Sequence, residues 1–423
     1  MPNENYLAKW RNKSADDFKE LVEDARSAGL LDTAQKLRRL DQQADLFAGF
    51  EELPLGMVLD ATPDPTILEH AGREVINFGT NNYLGTSHQA DVVAAAKQAI
   101  DTYGTGATAS RLAGGTQSLS LKVEQQISDL YERPCSMIFS TGFGANASLL
   151  GGMGEQFQRI FVDEECHASL YEGVRLSGTQ MTRFRHNDVA HLTSRFERYA
   201  HEDGNWLVVV DGLYSMSGTV APLKEILALR GIRPFTMMVD EAHSFGTIGR
   251  RGLGVAEECG LLSEVEIITG TFSKALGSIG GFATFNSAEF ELLRFLSVNY
   301  VFSAALPPAT LAAVSKGLDV SIAQGDVLRK ALRSRCDHVR QRLSNISGKQ
   351  DFMPGPVFSV SVGGPEQTVA IWHQLIEAGF YTNLILPPAS PGNTAMLRLG
   401  VSAKHKQAQI DNLLNALEAI CSR

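Results

Sequence analysis

Five short apolar runs, each followed by a longer segment of helical character, constrain the fold of this chain most. They lie at 136–139, 159–162, 206–210, 235–239 and 266–269. Such alternation favours a mainly parallel sheet flanked by helices, because parallel strands need a long crossover between them. We expect an α/β fold with this sheet in a large domain over 74–308. A helical segment and connector would precede it over 1–73, and a smaller α/β domain would follow over 309–423.

The last part of the chain carries further patterns. We expect a long helix over 309–344, a strand over 357–362 and a helix over 372–378. The final segment is predicted to be an amphipathic helix. Its apolar residues recur at three- and four-residue spacing: Ile410, Leu413, Leu414, Leu417 and Ile420.

Composition excludes several classes of function. The chain has 423 residues and a formal net charge of −9, which argues against general nucleic-acid binding. No apolar run approaches the roughly 20 residues of a membrane span, although peripheral membrane contact stays open. The first residues lack the pattern of a secretory signal. The cysteines lie far apart, as in a cytoplasmic protein with reduced thiols and no metal site: Cys135, Cys166, Cys259, Cys336 and Cys421.

Two strand ends carry the most telling side chains. The run at 235–239 ends on Asp240, and His243 follows three residues later. The run at 266–269 leads into Thr271, Ser273 and Lys274. Pyridoxal phosphate chemistry needs such a set: a lysine for the Schiff base, an acid for the pyridine nitrogen and hydroxyls for the phosphate. The alternative is that Asp240 only ends a strand and that Lys274 is a solvated lysine on the surface. The pair is more telling, because α/β proteins place their sites at these strand ends.

The segment 142–147 follows the first strand and opens a helix. Its spacing fits the dinucleotide fingerprint GxGxxA, with Asp163 about 20 residues on, so a nicotinamide-dependent oxidoreductase is an alternative. The N–H groups of such a turn can equally hold the phosphate of pyridoxal phosphate. Phe143 would then lie near the ring. A glycine-rich turn without a ligand is the third interpretation.

Further polar residues follow the other strands. His167 comes after the run at 159–162, and Ser215 comes after the run at 206–210. Each could reach the same pocket, although a lone histidine is more often a surface residue. Arg398 lies in a short apolar run. It could form a structural ion pair or hold a substrate carboxylate in a bidentate contact. The glycine-rich segment 103–115 is either a surface loop or part of a substrate entrance.

Taken together, these segments resemble the α-oxoamine synthases in order and spacing over about residues 74–415. Those fold-type-I pyridoxal phosphate enzymes join an amino acid to an acyl thioester and release CO₂. The matching segments include Asn-Asn-Tyr-Leu-Gly at 81–85, Ser-Thr-Gly-Phe at 140–143, His-Ala-Ser at 167–169, Tyr-Ser-Met-Ser-Gly at 214–218, Val-Asp-Glu-Ala-His at 239–243, Gly-Thr-Phe-Ser-Lys at 270–274 and Ser-Ala-Lys-His at 402–405.

The resemblance implies a role for each candidate residue. Lys274 would carry the cofactor and shuttle the proton, and Asp240 would pair with the pyridinium. His243 would bond the ring oxygen, and His167 would stack on the ring. Seven further residues would bind cofactor or substrate. Gly142, Phe143, Ser215, Thr271 and, from a partner subunit, Ser303 would surround the cofactor. Asn82 and Arg398 would contact the substrate, Arg398 through its carboxylate. The family forms homodimers.

Within the family, the segments 184–188, 300–308 and 381–391 look most like bacterial serine palmitoyltransferases. The implied substrates are L-serine and a long-chain acyl thioester on coenzyme A or an acyl carrier protein. Three positions depart from that pattern. Leu386 stands where those enzymes carry an arginine, Ser390 replaces a threonine, and Thr219 replaces an aspartate. Other members stay open: 8-amino-7-oxononanoate synthase, glycine C-acetyltransferase or an aminoketone signal synthase. A non-catalytic regulator with this fold is a further alternative.

Overall fold

The fold is described by a computed structural model that covers residues 14–27, 45–47, 54–346, 354–387, 390, 392 and 394–421. The strands in this part of the chain are β1 (Asp60–Ala61), β2 (Ile67–His70), β3 (Arg73–Asn77), β4 (Cys135–Phe139), β5 (Arg159–Asp163), β6 (Gln180–Phe184), β7 (Trp206–Asp211), β8 (Thr236–Asp240), β9 (Ile267–Thr271), β10 (Gly281–Phe285), β11 (Val357–Val360), β12 (Phe380–Tyr381), β13 (Asn383–Ile385) and β14 (Met396–Gly400).

The α-helices of the same residues are α1 (Ala15–Ser27), α2 (Ala90–Tyr103), α3 (Ser118–Tyr131), α4 (Gly142–Met153), α5 (Ala168–Ser177), α6 (Val189–Arg198), α7 (Leu223–Ala228), α8 (Val255–Glu258), α9 (Leu293–Leu296), α10 (Val298–Phe302), α11 (Pro308–Ile346), α12 (Pro365–Glu377) and α13 (Gln407–Cys421). Short 3-10 turns join several of them. None of the described helices is both long enough and apolar enough to cross a membrane.

Seven strands form the large sheet in the order β4-β10-β9-β8-β7-β5-β6. Only β10 runs antiparallel to its neighbours. The remaining hydrogen-bonded pairs are parallel. The α/β prediction is therefore confirmed, and all five predicted runs are strands whose bounds differ by at most two residues. Helices cover the sheet on both faces, which explains why the residues of β7 are all buried and read as one apolar run.

The sequence patterns did not predict two strands of this sheet, β6 and β10. β6 is an edge strand that contains Gln180, Thr182 and Arg183, so it lacks a continuous apolar run. β10 is buried throughout, but it begins with Gly281 and contains an alanine and a threonine. Gly281 and Thr284 interrupt the apolar residues around Phe282 and Phe285, so no continuous apolar run marks this strand.

The parallel arrangement gathers polar residues at one edge of the sheet. Asp163, Asp211 and Asp240 end β5, β7 and β8, and Thr271 ends β9. Asp211 and Asp240 lie side by side in register. All four residues are buried. The sheet thus delivers three carboxyl groups and a hydroxyl to one region, which is where α/β proteins bind their ligands.

A second hydrophobic core joins the two ends of the described chain. β12 pairs in parallel with β3, and β11, β14 and β13 form a separate antiparallel sheet. Leu68 and Tyr83 from the first part pack in the same cluster as Leu397 and Leu414 from the last part. The division of the chain at residues 73 and 308 stays a prediction. The packing supports a proposal in which the strands before residue 78 fold with the C-terminal unit.

The C-terminal helices agree with their patterns. α11 covers the long helix predicted over 309–344, and α13 buries Ile410, Leu413, Leu414 and Leu417. α12 begins earlier than predicted, at Pro365, because proline suits the first turn of a helix. The stretch 51–73 is not only a connector, since it contains β1 and β2. Of the helical segment expected before residue 74, the structure describes α1.

Arg133 connects the segment before β9 with β10 at the end of the sheet opposite the polar residues. Its buried guanidinium donates to the carbonyl oxygens of Leu262 and Val265 at 2.7 and 2.6 Å. It also donates to Glu266 and Thr284 at 3.0 and 3.1 Å. Burial lowers its pKa to about 10, so it stays charged at neutral pH. One side chain therefore satisfies four carbonyl groups beside β9 and β10.

We expect Arg133→Ala to lower the free energy of unfolding by about 3 kcal/mol, because it leaves several buried carbonyl groups without donors. Chemical denaturation followed by circular dichroism measures the change. Arg250→Ala is the matched control, since Arg250 is exposed. Equal stability of the two variants would contradict the role of Arg133.

Candidate active site

A cavity of about 300 Å³ opens at the carboxyl ends of β7, β8 and β9. The N-terminus of α4 forms one side of it. Its walls include most of the residues that the sequence singled out: Gly142, Phe143, His167, Asp240, His243, Thr271 and Lys274. A parallel sheet brings them together although they are spread over more than 130 residues of the chain.

Asp240 is held rigidly at the floor of the cavity. Its Oδ2 accepts a hydrogen bond of 2.6 Å from Nδ2 of Asn146, and its Oδ1 accepts one of 2.9 Å from the N–H of Ala242. Nδ2 of Asn146 also donates to Oγ of Ser169 at 3.0 Å. The carboxylate is almost fully buried. Its orientation is thus fixed by one helix and by the turn that follows its own strand.

Lys274 lies just beyond β9 and faces the same cavity. Burial lowers the pKa of its amine to about 8, although Asp240 and Asp211 both oppose the shift. A substantial fraction of the amine is therefore neutral near physiological pH. A neutral amine can attack a carbonyl carbon or accept a proton, which a fully charged surface lysine cannot do.

Asp211 lies beside Asp240 and was missed in the sequence. Burial and the neighbouring charge of Asp240 raise the pKa of Asp211 well above its usual range. Its Oδ1 accepts the backbone N–H of His167 at 3.3 Å. Asp211 therefore favours its neutral form, next to the carboxylate of Asp240 that two hydrogen bonds orient.

His167 stands at the start of α5 with its ring open to the cavity. Nδ1 lies 2.7 Å from Oγ of Ser169 and also accepts the N–H of that residue at 3.3 Å. Phe143 meets the ring edge-on, with 6.3 Å between centroids. Partial burial lowers the pKa of His167, and Asp240 opposes the shift. The imidazole is therefore neutral at physiological pH and presents a face on which a flat ligand can stack.

A chain of polar groups links His243 to Arg398. Nδ1 of His243 lies 2.7 Å from the hydroxyl of Tyr83, which in turn lies 3.0 Å from Oδ1 of Asn81. Arg398 donates to that same Oδ1 at 3.0 Å through Nη2 and to the carbonyl of Ser215 at 2.6 Å through Nε. Burial lowers the pKa of His243 well below its usual value and raises that of Tyr83 to about 12. Both groups are therefore neutral.

The other side of the cavity offers donors to an anion. Gly142 opens α4, and the first N–H groups of a helix lack intrahelical acceptors. A side chain at Gly142 would have its Cβ only 3.0 Å from that of Thr271, so the turn requires glycine for this close approach. The hydroxyls of Thr271 and Ser273 lie 2.8 Å apart at the cavity wall. These groups suit a phosphate.

Besides Arg398, described above, three residues predicted for the site do not line this cavity: Ser215, Ser303 and Asn82. Ser215 reaches the site through its backbone carbonyl, which accepts from Arg398. Ser303 accepts a hydrogen bond from Asn299 at 2.9 Å beside a separate small cleft. Asn82 donates to Ser87 at 2.7 Å, and its Oδ1 is buried with no partner among the described residues. An unpartnered amide oxygen is available to a ligand.

Leu386 has a structural role. It is buried in a small cluster with Phe47, Val369 and Ala395. A charged side chain at this position would lie in an apolar environment. The arginine found here in similar enzymes has no counterpart at this point, which leaves Arg398 as the fixed cation near the cavity.

The residues of this cavity fit pyridoxal phosphate. The oriented carboxylate of Asp240, the amine of Lys274 and the open face of His167 suit its ring, and the helix N-terminus suits its phosphate. The residues missed in the sequence, Asn146 and Asp211, only support these groups. Asn146 was within the glycine-rich segment already noted, but no pattern revealed that its amide turns towards Asp240.

Comparisons with known proteins agree with this geometry. Residues 73–417 match the family model for aminotransferase class I and II. Serine palmitoyltransferase of Caulobacter vibrioides is 39% identical over 85% of this chain and 89% of its own. A putative 8-amino-7-oxononanoate synthase of Desulforudis audaxviator is 38% identical over 84% and 91%. A solved serine palmitoyltransferase from S. paucimobilis, with a bound PLP–myriocin aldimine, superimposes with a TM-score of 0.86 at 32% identity, covering 90% of this chain and 96% of that chain.

These matches span most of the chain, and the fold-type-I architecture expected from the sequence is confirmed. The family resemblance noted in the motifs is confirmed with it. The chain belongs to the aminotransferase class I and II family, within the group that contains the serine palmitoyltransferases and 8-amino-7-oxononanoate synthases.

Proposed function

We propose that this protein is a pyridoxal-phosphate-dependent acyltransferase. It condenses L-serine with a long-chain acyl thioester, releases CO₂ and forms an aminoketone of the 3-ketosphinganine type. One observation carries the proposal: Lys274, Asp240, His167 and His243 line a single cavity in a chain similar to serine palmitoyltransferases. The acyl carrier, coenzyme A or an acyl carrier protein, and a cytoplasmic location are parts of the same proposal.

When bound, pyridoxal phosphate supplies a ring that draws electrons from the amino-acid α-carbon while its nitrogen is protonated. Asp240 holds that proton at the nitrogen, and Asn146 and Ala242 fix the direction of its carboxylate. His167 covers one face of the ring. The hydroxyl of Tyr83 is hydrogen-bonded to Nδ1 of His243, which leaves Nε2 of this cavity-lining imidazole available to the ring oxygen.

Lys274 carries the cofactor and moves the proton. Its amine, with a pKa lowered to about 8 by burial, accepts the α-proton at Nζ and can return it after CO₂ has left. Asp240 lies close enough to stabilise the charged amine once it holds the proton. The same atom can therefore act first as base and then as acid.

Arg398 binds the substrate carboxylate. Its Nε and Nη2 are fixed by Ser215 and Asn81, so the guanidinium is oriented before substrate arrives. Leu386 cannot share the task, because it is buried in an apolar cluster. Fixed geometry reduces the entropy lost on binding. We therefore assign carboxylate recognition largely to Arg398, with Asn82 contacting the remainder of the amino acid.

The second candidate is 8-amino-7-oxononanoate synthase chemistry, which the 38% identity to a putative enzyme of that name favours. The two reactions share a mechanism and differ in amino acid and acyl donor. Glycine C-acetyltransferase and aminoketone signal synthases differ in the same way. Incubation of the purified protein with serine, glycine and alanine and with short and long acyl thioesters, followed by mass spectrometry, identifies the product. An aminoketone derived from alanine would contradict the serine assignment.

We infer a homodimer whose interface contains α9 and α10. These helices and the residue before them expose several large apolar side chains: Leu292 at 65%, Phe295 at 66%, Val298 at 59% and Phe302 at 80%. Such a concentration is unusual for a surface in contact with water. Ser303 directly follows this surface, which supports a role at the cofactor phosphate of the partner subunit.

Lys274 should be the labelled residue when the holoenzyme is reduced with borohydride and its peptides are mapped. Cofactor incorporation into the apoprotein should speed up as pH rises through about 8, because attack requires the neutral amine, and should level off above that pH. The visible absorbance of the bound cofactor measures the rate. Labelling of another lysine, or a rate still climbing towards pH 10, would contradict the assignment.

Asp240→Asn should keep the fold and the cofactor but lose most of the activity. An amide still accepts one hydrogen bond, yet it cannot hold a proton on the ring nitrogen. Turnover and cofactor content, measured on the same soluble sample, separate chemistry from loading. Asp319→Asn, at an exposed position on α11, is the control. Near-normal turnover of the loaded Asp240 variant would refute the role.

Arg398→Ala should weaken amino-acid binding by roughly ten- to a hundredfold, because one charge-assisted contact in a buried site typically contributes about 1.5–3 kcal/mol. Titration of the holoenzyme with serine, followed by the change in cofactor absorbance, measures the affinity. Titration with serinol, which lacks the carboxylate, is the control and should be nearly unaffected. If the variant binds serine as tightly as the parent, another cation supplies the charge.

Phe302→Ser should shift the protein from dimer to monomer in light scattering at micromolar concentration. Ile322→Ser removes a comparably exposed apolar residue from α11 and is the control. A monomeric parent protein would contradict the inferred dimer. A dimer that persists in the Phe302 variant would place the interface elsewhere.

A further inference from the structure

His186 lies between two segments of the active site and does not itself line the cavity. It follows β6, and only 16% of its side chain is exposed. On one side of it is the turn after β5, which ends on His167. On the other side is the loop after β7, which contains Ser215. The first segment faces the cofactor ring, and the second orients Arg398.

One nitrogen of His186 bonds to the carboxylate that holds the turn before His167. Asp163 ends β5 and is fully buried. Its Oδ1 accepts the N–H of Glu165 at 2.9 Å and a hydrogen bond of 2.9 Å from Nδ1 of His186. Its Oδ2 accepts the N–H of Asn187 at 2.9 Å. Because a carboxylate only accepts hydrogen bonds, Nδ1 of His186 carries a proton.

The other nitrogen of His186 bonds to the loop after β7. Nε2 lies 2.7 Å from Oγ1 of Thr219, whose carbonyl accepts the N–H of Tyr214 at 2.9 Å. The ring of Tyr214 meets the imidazole edge-on, with 4.4 Å between centroids. The next residue, Ser215, accepts Nε of Arg398 through its carbonyl. A hydroxyl can donate or accept, so the contact at Nε2 persists whether or not the imidazole is charged.

The residue after His186 repeats this connection. Asn187 has a φ of 52°, in the left-handed region that is unfavourable for residues other than glycine. In this conformation its N–H donates to Asp163, and its Nδ2 donates to the carbonyl of Val220 at 3.0 Å. Such a backbone persists only where surrounding contacts hold it. Two consecutive residues therefore join the end of β5 to the loop after β7 in one geometry.

We propose that His186 is a positioning residue that fixes the stacking face of His167 relative to the anchor of Arg398. Removal of the α-proton requires the amino acid to be correctly oriented on the cofactor ring, so both contacts must be in place at once. One rigid imidazole with a bond at each nitrogen imposes this relation, since a shift of either segment breaks a hydrogen bond. The proposal rests on the proposed function, which gives His167 and Arg398 their roles.

Substitutions separate the two bonds of His186. His186→Phe loses both bonds, whereas His186→Asn keeps a donor near the position of Nδ1. Thr219→Val removes the partner of Nε2. We expect loaded His186→Phe to bind serine roughly tenfold more weakly. Its bound cofactor should also have an altered visible circular dichroism, because His167 is no longer fixed. His186→Asn and Thr219→Val should each weaken serine binding about fivefold and keep the cofactor signal of the parent.

The double variant of His186→Asn and Thr219→Val tests whether the two positions act through one bond. Its loss in serine affinity should equal that of either single variant. A loss equal to the product of the two single losses overturns the proposal. A loaded His186→Phe variant with the serine affinity and cofactor signal of the parent also overturns it, whatever its melting temperature. The matched controls are His201→Asn, at an exposed position, and Thr193→Val, whose hydroxyl bonds to a carbonyl of its own helix.

Hydrogen exchange of the apoprotein tests the same link without cofactor or turnover. In His186→Phe, the amides of 163–167 and of 214–219 should both exchange faster than in the parent. In Thr219→Val, only those of 214–219 should do so. Parental exchange in both segments of both variants overturns the proposal. A parent enzyme that forms no aminoketone contradicts the proposed function alone, because exchange and serine titration need no acyl donor.

Discussion

The hydrogen bonds that hold Asp240 are the interactions on which the site depends. The carboxylate ends a strand at the centre of the sheet, and it receives one donor from α4 and one from its own following turn. Asp211 next to it accepts one backbone N–H, from His167, and burial beside Asp240 raises its pKa well above its usual range. Two N–H groups therefore fix the direction of the Asp240 carboxylate, and Asn146 supplies one of them.

Much of the fold could be predicted because buried parallel strands are apolar along their whole length. β5, β7, β8 and β9 can be recognised in this way. The polar residue at the end of each strand marks the edge of the sheet where α/β proteins bind ligands. β6 and β10 could not be recognised, since polar residues or glycine interrupt both strands and neither has a continuous apolar run. The parallel pairing of β3 with β12 joins residues about 300 positions apart, which no local pattern reveals.

The candidate site was predictable where chemistry requires a residue type and unpredictable where geometry alone decides. A lysine, an acid and two histidines after strands could be read from the order of the chain. The roles of Tyr83, Asn81 and Asp211 depend on which way neighbouring side chains turn. Leu386 shows the same limit, since its departure from similar enzymes was visible in the sequence but its contact with Phe47 was not.

The second core has a consequence for how the chain is made. Its strand β3 is synthesised early, whereas its partner β12 and the sheet of β11, β13 and β14 emerge from the ribosome some 300 residues later. Until then Leu68, Val75 and Tyr83 have no apolar partners from the C-terminal part. The large sheet can form during translation, but the nascent N-terminal strands stay exposed to non-native pairing until the last quarter of the protein has left the tunnel.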